Sequence, residues 1–197
     1  MIKLAVSTQF PHQYVGYVTT TDSFYIADYT DQTKTSTVKR GVEFHLGTAP
    51  ADNVFFTLTN NIGLEIGGIP FDNSSFICGG NPRSQCECVV FPHDSTTDSW
   101  VLFSELKYCQ NNTTKNSKQI KKAIRQLYRT RHYYVQHGII TKQNTSYLIV
   151  SLPLQNVPFK GFTPTPAQLV KLKRDRNIIL AFRNNSSVID QKLLSVV

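Results

Sequence analysis

Residues 116–132, NSKQIKKAIRQLYRTRH, bring Lys118, Lys121, Lys122, Arg125, Arg129 and Arg131 into one short run without an acid. Cations gathered in this way neutralise a phosphate backbone or an acidic protein surface. A second set, Lys171, Lys173, Arg174 and Arg176, follows later in the chain. Tyr128, Tyr133 and Tyr134 sit beside the first run. Aromatic rings interleaved with cations suit stacking on exposed bases. Core packing is the competing reading for each ring.

A different chemistry is offered by Cys78, Cys86, Cys88 and His93. Three thiolates and an imidazole would complete a tetrahedral zinc shell, although the paired Cys-x2-Cys spacing of structural zinc sites is absent. Buried free thiols, or a disulfide that draws in Cys109, are the other readings. A nucleophilic cysteine needs a base beside it, and no pattern couples one to His12, His45, His93, His132 or His137. Among the carboxylates, Glu65, Asp72, Asp94, Asp98 and Glu105 fall across turns and strand ends, with no spacing that forces a dyad or a metal clamp. No P-loop, no G-x-G-x-x-G, no H-E-x-x-H and no G-x-S-x-G occurs. The expectation is therefore a non-enzymatic protein, without a cofactor unless the cysteine cluster holds zinc.

Charge is distributed unevenly. Five basic residues stand against eleven acids up to Glu105, and sixteen against two, Asp175 and Asp190, beyond it, for a net +8. This asymmetry points to a basic surface with an anionic partner. It also allows a homo-oligomer in which the acidic part of one copy meets the basic part of the next.

The elements that position these residues follow from periodicity. On a helix, Ile120, Ala123, Ile124 and Leu127 share one side, and Lys118, Lys121, Lys122, Arg125, Arg129 and His132 share the other, with Arg131 alone on the apolar side. The spacing predicts an amphipathic helix over 116–131, capped by Asn116 or Ser117. Thr165 followed by Pro166 predicts a second helix carrying the second basic set. Short strands are expected at KLAVS, QYVGYVT, SFYIADY, TVKRGVEFHL, NVFFTLT, IGLEIGG, CECVVF, SWVLFSELKY, YYVQHGII, SYLIVSLPL and NIILAF. The segment SSVIDQKLLSVV reads equally as helix or strand, and the glycine pairs at Gly67 and Gly79 read as turns or bulges. Residues 43–76, from EFHL to LEIGGIPFDNSSF, loosely resemble the β-rich domain of farnesoic-acid methyltransferase-like proteins. The resemblance implies strands there and gives no residue a role.

The resulting fold expectation is β-rich α+β. An acidic antiparallel sandwich or barrel occupies residues 1–109, and a basic α/β part occupies 110–197, with one shared core left open. No apolar run is long enough to span a membrane, and the start has no clear cleavage signal. An intracellular setting (cytoplasm, nucleus or virion) is therefore expected ahead of a secreted one. The functional expectation is a structural or binding protein, such as a virion or ribonucleoprotein component, whose basic half contacts nucleic acid with weak sequence specificity. A self-assembling protein, an extracellular ligand-binding β-sandwich and an enzyme with a Cys–His site are the alternatives.

Overall fold

The computed structural model describes residues 1–109, 113–155 and 164–196, apart from the side chains of Cys78 and residues 113–115. Two helices come first, α1 (Ile2–Gln9) and α2 (Pro11–Tyr14). The strands β1 (Val18–Thr20), β2 (Phe24–Asp28), β3 (Val42–Leu46), β4 (Phe56–Thr59), β5 (Ile66–Pro70), β6 (Ile77–Cys78), β7 (Asn81–Pro82), β8 (Cys88–Pro92) and β9 (Val101–Leu106) follow. The remainder is α3 (Thr113–Gln136), β10 (Ser146–Ser151), α4 (Pro166–Arg176), β11 (Ile178–Phe182), β12 (Asn185–Val188) and β13 (Leu194–Ser195).

These elements make a β-rich α+β fold in three layers. The middle layer is a six-stranded sheet in the order β1-β5-β8-β9-β10-β11. Its first four strands pair antiparallel and β9, β10 and β11 pair parallel. Parallel neighbours need long crossovers, which α3 and α4 supply. Both helices pack on one face of this sheet. The other face meets a five-stranded sheet in the order β13-β12-β4-β2-β3, in which β12 runs parallel to β4. Both sheets thus draw strands from each side of residue 109.

Burial on two faces explains the apolar run in β9. Val101 and Phe103 enter the core under the helices, while Leu102 and Leu106 enter the core between the sheets beside Trp100. The Trp100 indole donates to the Asp190 carbonyl at 2.8 Å, joining β9 to the segment between β12 and β13. Each fully buried side chain of this size contributes about 1.5–3 kcal/mol.

The structure departs from the sequence reading at several places. KLAVS is helical: Ile2 and Val6, four apart, form a buried stripe. QYVGYVT keeps only Val18 and Thr19 as strand, in β1, and α2 takes Gln13 and Tyr14. YYVQ extends α3, with Tyr134 in the core, and Gly138 at φ 66° ends the turn that follows. SSVIDQKLLSVV forms β12 and β13. Asn116 lies within α3, buried against Gln155. Gly67 and Gly68 are neither turn nor bulge but lie inside β5. The Tyr17 ring covers Gly67 on one face, and a Cβ at Gly68 would stand 2.7 Å from a Phe44 ring carbon on the other. Gly79 and Gly80, at φ 59° and 76°, do form the two-residue turn between β6 and β7.

Candidate nucleic-acid interface

Helix α3 is held by Ile120, Ala123, Leu127, Thr130 and Tyr134, all fully buried. That stripe fixes the helix on the sheet and turns its opposite side outward. Lys118, Lys121, Lys122, Arg125, Arg129 and His132 are exposed on that side. From Lys118 to Arg129 the row is roughly 16 Å long. Among the described residues no carboxylate lies within ion-pair distance of Lys118, Lys122, Arg125 or Arg129. Lys118 with Lys122, and Arg125 with Arg129, are like charges four apart, each pair costing a few tenths of a kcal/mol.

Helix α4 joins the same layer. Thr165 accepts from the Gln168 amide and Gln168 reaches back to the Thr165 amide, a complete capping box with Pro166 at the first helical position. Only Leu169 and Leu172 pack against the core, so Lys171, Lys173, Arg174 and Arg176 are exposed. Arg174 is paired with Asp175 at 2.7 Å, and Lys173 donates to Asn177 Oδ1 at 2.7 Å. Arg131 couples the two helices. Its guanidinium donates to Ser146 Oγ at 2.8 Å and to the Arg176 carbonyl at 3.0 Å. Burial, and then the Arg176 charge, hold Arg131 below its ordinary pKa. The two basic sets, distant in sequence, therefore meet at the ends of their helices.

The three tyrosines separate. Tyr134 has no exposed surface, its ring stands edge-on to Phe103, and its hydroxyl donates to Gln13. It belongs to the core and is not available to a base. Tyr128 is half-buried beside Arg131 and Arg176. Tyr133 packs against Phe76 with ring centroids 5.4 Å apart, and lines an open cleft of about 350 Å³ with Phe10, His12, Arg83 and His137.

The described members of the proposed zinc set do not converge. The chain bends at Glu87, so Cys86 enters the core under the helices and Cys88 the core between the sheets. His93 instead meets the Tyr17 hydroxyl at 3.0 Å and Lys3 Nζ at 3.1 Å. Among the described residues no group of three or more potential ligands gathers. Cys86 and Cys88 are free, buried thiols, Cys109 is buried as well, and burial pushes the first two well above the ordinary thiol range.

One cluster has no counterpart in the sequence reading. Cys88 pairs with Ser104 across β8 and β9, and the Glu87 amide donates to the Ser104 carbonyl at 3.0 Å. Regular pairing ends there, with Glu87 and Cys88 both set against Ser104 as in a bulge. Glu87 and Glu105 share Lys107, which is ion-paired to Glu105 and lies 3.8 Å from Glu87. Glu105 is wholly buried and, among the described residues, its Oε2 has no hydrogen-bond partner. Burial drives the Glu105 carboxyl up to about 7 against the pull of Lys107. Burial and then the Glu105 charge drive Glu87 well above the carboxylate range. Burial alone would lower Lys107, but Glu105 and Glu87 hold it above its ordinary value. The charges of Asp28, at the end of β2, and of Lys122, on the basic row, both act on Glu105. The signal for this cluster was an acid inside each of two apolar strands, CECVVF and VLFSEL, because a charge is costly to bury unless paired.

No family model matches the chain. No curated protein and no solved structure matches it either. Among the described residues no helix is long and apolar enough to cross a membrane.

Proposed function

We propose that this chain binds nucleic acid through the exposed row of α3, extended by the basic end of α4. Contact is made mainly to backbone phosphates, so affinity depends little on sequence. The observation that carries this reading is the row itself: Lys118, Lys122, Arg125 and Arg129 face outward with no carboxylate partner among the described residues. Phosphates would relieve the repulsion along the helix. Tyr133, in its cleft, is the ring best placed to meet an unpaired base, and Tyr128 borders the Arg131–Arg176 junction. A structural role in a virion or ribonucleoprotein particle is consistent with such binding.

Self-assembly through acidic and basic halves is less favoured. Many acids of the first half are already engaged within their own molecule. Glu43 and Asp52 bind Arg40, Asp98 binds Lys192, and Asp72 accepts from Ser74 and Ser75.

The test is binding to a mixed-sequence RNA and to a DNA duplex across a salt series, in EDTA, with Arg125→Glu/Arg129→Glu alongside. The expected result is a linear fall of log affinity with log salt, at about 0.9 per phosphate neutralised on a duplex, and a slope smaller by about 2 in the variant. A wild-type protein that binds neither nucleic acid at low salt, or a folded variant that binds as well as wild type, overturns the reading.

A further inference from the structure

The buried carboxylates offer more than a tolerated charge. Glu87, next to the start of β8, and Glu105, in β9, come close enough to share a partner, and two ionised carboxylates so placed repel each other. One ammonium, Lys107, serves both. The three groups carry one negative charge too many when ionised, and Glu105 Oε2 is buried without a hydrogen-bond donor among the described residues. A buried oxygen of this kind normally finds a donor or a cation.

Position adds to this. The pair lies at the carboxyl end of β9, the strand that begins the parallel run of the middle sheet. Ligand sites of open sheets gather outside the carboxyl ends of such strands. Glu105 continues the alternation of Val101 and Phe103 in β9, which is the side of α3, and Lys107 is ion-paired to it. Lys122 of the basic row is close enough for its charge to act on Glu105. The pair is reached from outside through Glu87 and Lys107, whose side chains are 17% and 15% exposed.

We propose that Glu87 and Glu105 hold a divalent cation, Mg²⁺ or Mn²⁺, and that with Lys107 they hydrolyse phosphodiester bonds of nucleic acid lying on the α3 row. The substrate class rests on the binding reading above; the cation site does not. Mg²⁺ is commonly held by one or two carboxylates, with water and substrate phosphate completing its shell. Two carboxylates and one lysine therefore suffice for the protein's share. In the reaction, water adds through oxygen to phosphorus. The bond from phosphorus to one sugar oxygen breaks, and its electron pair leaves on that oxygen. The attacking water gives up a proton to solvent and the departing oxygen takes one from solvent. The products are a phosphomonoester end and a hydroxyl end, with no change of oxidation state. The cation and the Lys107 ammonium offset the charge that develops on the phosphate oxygens.

The test has two parts. Mn²⁺ alone is titrated into wild type, Glu105→Gln and Glu87→Gln by calorimetry, with circular dichroism confirming that each variant is folded. Labelled DNA and RNA are then incubated with each protein in Mg²⁺, and their binding is measured separately in EDTA. The proposal expects one Mn²⁺ per chain and at least about tenfold weaker binding in either variant. It also expects Mg²⁺-dependent cleavage that Glu105→Gln and Lys107→Ala abolish while binding in EDTA persists. No Mn²⁺ binding at millimolar concentration, or equal binding by the variants, overturns the site. Wild type that takes up Mn²⁺ and binds nucleic acid but leaves it intact overturns the hydrolysis. Wild type that takes up Mn²⁺ but binds no nucleic acid overturns the substrate class, and the failure then belongs to the reading of the basic row.

Discussion

Replacing Glu105 by Gln should change how stability responds to pH. The Glu105 carboxyl is raised from an ordinary 4.5 to about 7, first of all by burial. Below 4.5 it is neutral in the folded and the unfolded chain alike, so the fold bears no penalty. Between 4.5 and about 7 the unfolded chain releases the proton while the folded chain keeps it, so stability falls as pH rises. Above about 7 the loss is complete. The shift corresponds to at most about 3 kcal/mol, or roughly 6–12 °C in melting temperature for a chain of this size. In Glu105→Gln the amide carries no charge, and Lys107 keeps Glu87 at 3.8 Å as its partner. Glu87, raised chiefly by burial, still titrates in the variant, so the variant should lose less stability between pH 5 and pH 8 than wild type does. Urea denaturation at a series of pH values, in EDTA, reads the difference directly. Parallel profiles for the two proteins would refute the argument, because Glu105 would then titrate alike in the folded and unfolded chain.

Three further outcomes are expected. Gly68→Ala should destabilise by about 1–3 kcal/mol in urea denaturation, because the new Cβ meets the Phe44 ring at 2.7 Å between packed sheets. Thr165→Ala should cost about 1 kcal/mol and fray α4 before the rest, visible as faster amide exchange over residues 166–170. In a Cys78→Ser variant, the buried thiols Cys86, Cys88 and Cys109 should resist a thiol reagent until denaturant is added; prompt labelling of all three would contradict their burial.

The basic row and the second helix were legible in the sequence because both depend on local rules. Charges at a spacing of three and four fall on one side of any helix, and Thr165-Pro166 with Gln168 writes out a helix start. The cysteine set misled because residues two apart normally share a face of a strand, and the bend at Glu87 sends Cys86 and Cys88 to opposite cores. Helix α1 was missed because Ile2 and Val6 are too few apolar positions to separate a period of four from a period of two. The meeting of Glu87 and Glu105 around Lys107 joins residues of two strands, which no window along one strand contains. The parallel run of β9, β10 and β11 is likewise a long-range arrangement, although a strand, a long helix, a strand and a second helix in succession describe its connections.

The pairing of β12 with β4 sets an order of events during synthesis. The ribosome delivers β2, β3 and β4 early, and they can pair antiparallel at once with β2 in the middle. The free edge of β4 then stays open while all of the middle sheet is made. It is covered only when residues 185–188 emerge and lie alongside Asn185↔Thr57 and Ser187↔Thr59. Until then Phe24, Phe56 and Leu58, which end fully buried, lack part of their cover. A nascent chain stalled before this point would present an unpaired strand edge beside bare aromatic rings, the combination that holding chaperones bind and that seeds aggregation.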